Sequence, residues 1–228
     1  RLPTPDAPLR IGTRASPLAM AQAHMAAAAL AQAHGLTEDS LFLVPMTATG
    51  DRIQDRALAE VGGKALWTRE LDAALDAGAI DIAVHSLKDV ETLRDPRFAL
   101  VAMLERADPR DRLVVREGIM AATIDALPTG ARLGTSSPRR AAQVKRRRSD
   151  IETLLLRGNV QTRLAKLAAG DVDATLLAAA GLDRLAMFDI GVVQDAATLL
   201  PAASQGAIGI ECRSDDDRVR ALLVAVDH

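Results

Sequence analysis

Apolar and polar positions along the chain alternate between the period of a strand and that of a helix. The first half predicts, in order, a strand at 9–11, a helix over 16–34, a strand at 41–46, a helix over 64–78 and strands at 80–86 and 98–104. Ser16 and Pro17 suit the start of the first helix, because serine caps free N–H groups and proline fits the first turn. This alternation is typical of an α/β protein.

The pattern starts again after a charged, proline-containing stretch at 105–111, which we interpret as a crossover between two domains. The second half predicts strands at 112–115, 131–134, 152–156, 174–179 and 206–212, helices from 138 and over 160–169, and a last helix capped by 215–217. A length of 228 residues suits one large domain or two small ones.

The two halves share a short motif. GTRASPL at 12–18 and GTSSPRR at 134–140 each follow an apolar run and enter a helix through Ser-Pro. Each predicts a strand-to-helix turn whose free N–H groups and helix dipole favour an anion. Ligands of α/β sheets bind at the carboxyl ends of strands, so we expect the two turns to face each other across one cleft.

Composition narrows the function classes. A net charge of −2 and an aromatic content of 2% argue against a nucleic-acid or acidic-lipid surface. The single cysteine, Cys212, excludes an internal disulfide and a cysteine-built metal site, and the four histidines lack metal spacing. We therefore expect no metal. No apolar run reaches the length of a membrane span, and residues 1–10 do not resemble a signal peptide, so we expect a cytoplasmic protein.

Arginine accounts for 24 of the 28 basic residues, and the densest basic region is 132–163. The run 145–148 points all round its predicted helix, which indicates a solvated surface. Arg139 and Arg140 differ, because positive charge in the first turn of a helix opposes the helix dipole. A bound polyanion would compensate that charge, and guanidinium groups suit carboxylates.

Two further segments carry candidate chemistry. HSLKDV at 85–90 follows an apolar strand, and Asp89 there is either a catalytic carboxylate that stabilises a developing cation or part of an ordinary capped turn. The segment 50–67 contains Gly62 and Gly63 and is either a mobile loop over a site or a plain loop.

Nine motifs in order resemble the porphobilinogen deaminase (hydroxymethylbilane synthase) family. They are RIGTRASPLAMAQ at 10–22, TATGDR at 47–52, GGKALWTRELDAAL at 62–75, DIAVHSLKDV at 81–90, ERADPRD at 105–111, GTSSPRRAAQ at 134–143, RGNVQTRLAKL at 157–167, AAAGLDRL at 178–185 and LPAASQGAIGIECR at 200–213. The resemblance spans nearly the whole chain.

The resemblance implies a transferase of porphyrin (heme) biosynthesis. It implies that four porphobilinogen molecules are joined head to tail into a linear tetrapyrrole on a covalent dipyrromethane primer, with ammonia released each time. By resemblance, Asp89 is the acid/base and cation-stabilising group at the pyrrole nitrogens, and Lys64 and Trp67 lie in a lid. The carboxylate-binding positions implied by the resemblance are Arg14, Ser16, Lys88, Ser137, Arg139, Arg140, Arg157, Arg163, Arg184 and Gln205.

The resemblance also implies a fold and a boundary. It implies two α/β domains like those of a type II periplasmic binding protein, with a double crossover and a cleft. Domain one is then 1–104 plus 203–228, and domain two is 108–198. We expect a monomer, and we expect that the third, primer-anchoring domain is missing from this chain. Cys212 belongs to the IEC motif and not to the anchoring position, so the fragment alone is expected to be inactive.

The chain departs from the family pattern at four positions, Glu91, Trp67, Pro138 and Ser204. Trp67 keeps a flat aromatic ring, so we expect function to survive. One rival interpretation is a passive anion-binding module of the same fold, for which a carboxylate at position 89 would be a disadvantage. A second rival is nucleic-acid binding through 139–148, which strong salt-dependent DNA binding would support.

Overall fold

The computed structural model describes residues 2–48 and 66–228. Lys64, Gly62, Gly63 and most of the TATGDR motif lie outside the described residues. The chain divides into two compact units. Among the described residues, the first unit contains 2–48, 66–107 and 207–228, and the second contains 108–206.

The element order confirms the predicted α/β alternation. The strands are β1 (Leu9–Arg14), β2 (Leu41–Met46), β3 (Ile82–Ser86), β4 (Phe98–Met103), β5 (Asp111–Val115), β6 (Arg132–Gly134), β7 (Glu152–Leu154), β8 (Ala174–Ala178), β9 (Val192–Val193) and β10 (Ile208–Arg213). The helices are α1 (Pro17–His34), α2 (Arg69–Asp76), α3 (Pro138–Arg147), α4 (Val160–Ala168), α5 (Ala179–Arg184) and α6 (Asp217–Val224).

The first unit is a five-stranded sheet in the order β2-β1-β3-β10-β4. Its strands β2, β1 and β3 are parallel, and β10 runs antiparallel to both of its neighbours. One face packs on α1 and α6 through Ile11, Ile82 and Ile210, all of which are fully buried. The other face packs on α2 through Leu71 and Leu75. Both faces are therefore covered, as continuous apolar strands require.

The second unit repeats this arrangement as β7-β6-β8-β5-β9. Here β7, β6 and β8 are parallel, and β5 runs antiparallel to both of its neighbours. Val144 of α3 packs with Leu133 and Leu176 on one face. Leu167 of α4 and Leu182 of α5 pack with Leu177 on the other.

The structure corrects several predicted boundaries. Within the described residues the second helix covers only Arg69–Asp76, because 66–68 form a separate turn. Helix α5 was not predicted, since its alanines continue the apolar run of β8 without a break. Residues 203–206, which the sequence assigns to domain one, lie in the second unit, and the chain returns to the first unit at 206/207.

Among the described residues, no helix has both the length and the apolar character needed to cross a membrane.

Candidate functional site

The first unit presents its site residues at the carboxyl ends of β1 and β3. Ser16 caps α1, and its Oγ accepts a 3.4 Å hydrogen bond from the N–H of Ala19. Arg14 is the last residue of β1, and its Cζ lies 4.1 Å from the centre of the Trp67 ring. The indole therefore covers one face of the guanidinium, a cation–π contact that orients a cation.

A cavity opens beside this pair. Its lining residues are Arg14, Ala19, Gln22, Trp67, Thr68, Val84, His85, Ser86 and Asp89. Asp89 ends a single 3-10 turn, Leu87–Asp89, that directly follows β3 and also carries Lys88. Lys88 and Asp89 are both partly exposed. The fold thus brings Arg14, Trp67 and Asp89, all predicted site residues, to one cavity.

One wall of the cavity carries a buried polar pair. Gln22 is only 2% exposed, and its Nε2 donates a 2.9 Å hydrogen bond to the Oγ of Ser86. This bond connects α1 to the end of β3. Gln22 stands on the buried face of α1, one turn after Ala19. It therefore positions Ser86 and the turn that follows.

Next to His85, one of the lining residues of the cavity, the first unit buries a carboxylate, Glu211 of β10. Its Oε2 lies 3.2 Å from the Nε2 of His85, and its Oε1 accepts a 2.8 Å hydrogen bond from the Nε of Arg94. Burial alone would raise the pKa of Glu211, but His85 and Arg94 outweigh it and lower the pKa to about 2. Glu211 is therefore ionised at neutral pH.

The second unit presents a different set of groups at its corresponding turn. Ser137 caps α3, and its Oγ accepts a 3.4 Å hydrogen bond from the N–H of Arg140. Arg139 and Arg140 occupy the first turn of that helix, as predicted. Part of their charge is compensated within the chain, which the sequence did not predict.

The compensating group is Asp111, which is completely buried at the start of β5. Its Oδ1 accepts a 2.7 Å hydrogen bond from Nη2 of Arg140, and its Oδ2 accepts a 3.1 Å hydrogen bond from Nη2 of Arg139. Burial raises the pKa of Asp111, but the two guanidinium groups outweigh it, and the net pKa is lowered. One carboxylate faces two cations, so the cluster retains one positive charge.

Gln205 completes this cluster. It is 1% exposed, and its Nε2 donates hydrogen bonds of 2.7 Å to Oδ1 of Asp111 and 2.6 Å to the Pro109 carbonyl. The amide thus ties the end of the second unit to the carboxylate that holds the arginines.

Two more predicted arginines lie near the turn after β7. Arg157 is 3% exposed. The Nε of Arg163 donates a 2.9 Å hydrogen bond to the Gly158 carbonyl, and its Nη2 lies 3.5 Å from the Oγ of Ser136. Asn159 caps α4, so this turn repeats the strand-to-helix design of the other two.

Arg184 is the predicted residue with the most unusual surroundings. Its Nη2 donates a 2.7 Å hydrogen bond to the Gly206 carbonyl, whereas its buried Nε has no partner among the described residues. Burial lowers the pKa of this guanidinium. A partly desolvated cation of this kind favours an anionic ligand.

The basic run at 145–148 is confirmed as a solvated surface. Arg147 pairs with Asp125, and Arg148 pairs with Asp150 at 2.7 Å. These ion pairs within the second unit balance two of the four positive charges of the run, and Lys145 and Arg146 are exposed.

Cys212 is confirmed as a core thiol. It is 0% exposed, and burial raises its pKa to about 11, so the thiol stays protonated. In the part of the chain that the structure describes, no three His, Cys, Asp or Glu side chains are grouped as a metal site would require.

Sequence reasoning missed the buried partners: Asp111, Glu211, Arg94 and Gln22. Glu211 carried a signal, since a glutamate inside the apolar run IGIEC needs a compensating charge. Asp111 carried a weaker signal, because it looks like part of a charged linker.

The sheet orders and covered faces define a class of protein, the two-unit α/β fold of type II periplasmic binding proteins. The VFT2 domain of BvgS from Bordetella pertussis is similar, with a TM-score of 0.56 and 15% identity over 96% of this chain and 85% of that one. An ancestral arginine-binding protein bound to arginine has a TM-score of 0.51 and 16% identity over 96% of this chain and 90% of that one. At these identities the likeness shows the fold alone.

Sequence comparison identifies the family. The family model described as "Porphobilinogen deaminase, dipyromethane cofactor binding domain" matches residues 9–221. A porphobilinogen deaminase of Sphingopyxis alaskensis is 80% identical over the whole chain, which covers 72% of that relative, and one of Xanthomonas oryzae pv. oryzae is 51% identical over 96% of the chain, which covers 71% of it. The chain belongs to the porphobilinogen deaminase family.

Proposed function

We propose that the protein is a hydroxymethylbilane synthase, a transferase that releases ammonia from four porphobilinogen molecules and joins them head to tail. Family membership supports this activity. The single structural observation that carries it is the cavity of the first unit, which combines a carboxylate, Asp89, with a guanidinium, Arg14, and an aromatic ring, Trp67. A passive anion-binding site would gain nothing from that carboxylate.

The chain suits the cofactor of its family. The pyrroles of dipyrromethane carry acetate and propionate groups, and the buried Nε of Arg184, which lacks a partner among the described residues, belongs to a cation that a carboxylate would stabilise. When bound, dipyrromethane supplies the pyrrole end on which the product grows.

Asp89 would act on the nitrogen side of the substrate pyrrole. Loss of ammonia leaves positive charge on the pyrrole system, and an ionised carboxylate close to the ring nitrogen stabilises that charge. The 3-10 turn after β3 holds Asp89 and Lys88 beside each other, so the carboxylate and an ammonium group for a substrate carboxylate come from one rigid turn.

The cations would bind the acetate and propionate side chains. In the first unit these are Arg14 and Lys88, with the Ser16 hydroxyl at the start of α1. In the second unit they are Arg139, Arg140, Arg157, Arg163 and Arg184, with Ser137 and Gln205. Arginine suits this role because its planar fork matches a carboxylate in bidentate geometry. Arg140 would act mainly through Asp111, since its Nε and Nη2 already donate to that carboxylate.

Several finer statements are part of the same proposal. We infer that the enzyme works as a monomer in the cytoplasm, without nucleic acid or membrane partners, and that residues 1–228 alone lack the activity. The net charge of −2 argues against nucleic acid or an acidic membrane surface as a partner.

The test compares Asp89→Asn with the parent in the full-length gene product. Removing the charge while keeping the shape should lower kcat by about 100-fold or more, with substrate binding retained. Hydroxymethylbilane formation is measured directly, and Asp108→Asn, which alters a partly exposed carboxylate paired with Arg110, serves as the control.

The rival interpretation predicts a different result. In a passive anion-binding module, Asp89→Ala would improve binding of a polycarboxylate, and the parent would release no ammonia from porphobilinogen. Those two results together would overturn the proposed function.

A further inference from the structure

The buried pair of His85 and Glu211 has no part in the carboxylate binding proposed above. The side chain of His85 is 4% exposed and that of Glu211 is 0% exposed. A polar pair so deep in a sheet costs folding free energy unless it is well compensated. Because His85 also lines the cavity that contains Asp89, the pair suggests a use in the reaction.

Sheet register explains how the two side chains meet. In the antiparallel pairing of β3 with β10, Glu211 lies opposite Ala83, and Gly209 lies opposite His85. His85 and Glu211 are thus diagonal neighbours on one face of the sheet, within reach of each other. Gly209 places no side chain between them.

Arg94 anchors the carboxylate from the other side. Its Nη2 donates a 2.6 Å hydrogen bond to Oε2 of Glu211, and the same guanidinium pairs with Asp72 of α2 and with Glu91. The carboxylate is therefore held by His85 of β3 and by Arg94, and Arg94 is held in turn by Asp72 and Glu91. It cannot turn away from His85 without breaking these bonds.

The ionised carboxylate determines the state of the imidazole. A carboxylate only accepts hydrogen bonds, so the Nε2 of His85 must carry the hydrogen that faces Glu211. The Nδ1 of a neutral ring is then free of hydrogen, and no described residue bonds to it. A carboxylate that fixes the tautomer of a histidine prepares the opposite nitrogen to accept a proton.

His85 also borders the cavity that contains Asp89. The same residue thus contacts a buried carboxylate and lines the space assigned to the substrate. The charged groups around it, taken over every element packed there, are Arg14, Asp72, Lys88, Asp89, Glu91, Arg94 and Glu211.

We propose that His85, positioned by Glu211, accepts the proton that each condensation releases. This inference rests on the proposed function. The bond between the aminomethyl carbon of porphobilinogen and its protonated nitrogen breaks first, and ammonia leaves. The aminomethyl carbon then bonds to the free α-carbon of the next pyrrole. The proton lost from this α-carbon passes to Nδ1 of His85 and then to the released ammonia, so that each condensation yields one ammonium ion. No oxidant or reductant is needed, and His85 returns to its starting state.

The first experiment compares His85→Asn with the parent in the full-length gene product, with kcat and KM measured across about pH 5–8. Asparagine can still donate a hydrogen bond to Glu211 but cannot carry a proton. We expect kcat to fall by about 100-fold with KM nearly unchanged, and the acidic limb of the kcat profile to disappear. His24→Asn on the exposed face of α1 is the matched control and should leave the profile unchanged.

A second variant, Glu211→Gln, keeps His85 and protects the test against a folding defect in the first. We expect it to lower kcat by about 10-fold and to move the acidic limb, because the imidazolium loses its counter-charge. Thermal melting of each variant establishes that the protein is folded.

Three results would overturn the inference: a parent kcat profile that is flat over this pH range, a His85→Asn enzyme with the parent's kcat and profile, or a Glu211→Gln enzyme with an unmoved limb. Failure of the proposed function looks different. In that case the parent itself makes no hydroxymethylbilane, and Asp89→Asn changes nothing.

Discussion

The two units share a backbone design but differ in where they bury charge. In each, an arginine in the first two residues of the central parallel strand forms a bidentate pair with the aspartate just before the neighbouring strand. The pairs are Arg10 with Asp81 in the first unit and Arg132 with Asp173 in the second. In each, a serine followed by a proline begins the next helix.

The two units differ in the charged residue that their antiparallel strand buries. The antiparallel strand of the first unit, β10, places Glu211 opposite β3, whereas β5 of the second unit places Val114 at the corresponding register. The second unit instead buries Asp111 at the beginning of β5, where the first unit has Ile208. The first unit thus buries a carboxylate that contacts a histidine, and the second buries one that contacts two arginines.

This difference separates two tasks on one scaffold. A carboxylate under a histidine prepares a proton acceptor, whereas a carboxylate under two arginines keeps a positive cluster rigid. Two units with the same sheet arrangement can therefore bury different charged groups, because a strand position decides which buried group is present.

Replacing the buried carboxylate of the second unit should have the largest effect. Asp111→Asn leaves Arg140, which is 5% exposed, without its counter-charge. We expect the free energy of unfolding to fall by about 4 kcal/mol, the usual cost of breaking a buried ion pair on one side. Urea unfolding followed by circular dichroism measures this.

The surface variant Asp108→Asn is the matched control, since its partner Arg110 is 47% exposed and such pairs contribute about 1 kcal/mol or less. Equal losses for the two variants would contradict the assignment of Asp111 as the organising group.

The carboxylate of the first unit should show its effect in the pH dependence of stability. The folded pKa of Glu211, about 2, lies below its ordinary value, so its contribution is present at neutral pH and is lost as pH falls towards 2. We expect Glu211→Gln to reduce the free energy of unfolding at pH 7 by about 3 kcal/mol. The difference in free energy of unfolding between parent and variant should become smaller below about pH 5. A difference that stays constant from pH 7 to pH 3 would refute this.

Gly12 of the first unit and Gly134 of the second begin the motifs GTRASPL and GTSSPRR. Replacing either glycine with alanine should lower stability by less than the variants above, and by different amounts in the two units. A Cβ at Gly12 would lie 2.3 Å from the terminal methyl of Ile80, whereas one at Gly134 would lie 2.9 Å from Cβ of Leu156. The Ile80 methyl can rotate away, but the Leu156 Cβ is fixed to the backbone.

We therefore expect Gly134→Ala to cost about 2 kcal/mol and Gly12→Ala to cost about 1 kcal/mol, as overpacking usually does. Thermal melting of both variants checks the order, and a larger loss for Gly12→Ala would contradict it.

Much of the fold was predictable because its signals are local. The Ser-Pro starts of α1 and α3, the glycine end of α1 at Gly35 and the apolar strands all depend on neighbouring residues. Helix α5 was missed because Ala179 and Ala180 fit a buried strand as well as a buried helix. Their assignment required the packing of Leu182 against β8.

The candidate site was predictable only for the residues that the substrate would meet. Arg14, Asp89 and Arg139 lie in recognisable motifs, whereas the groups that hold them do not. Asp111 was interpreted as part of a linker, and the surplus positive charge of Arg139 and Arg140 was assigned to a ligand alone. The pairing of these groups joins residues 28 and 29 positions apart.

By itself, the sequence determined the α/β alternation, the two strand-to-helix turns and the family, because caps, periodicity and motifs act over a few residues. Only the tertiary structure decided which charges are buried and what they face. His85 and Glu211 are 126 residues apart, and only the antiparallel pairing of β3 and β10 makes them neighbours. A buried charge is stable only beside a partner, and sheet register, which no local pattern records, selects that partner.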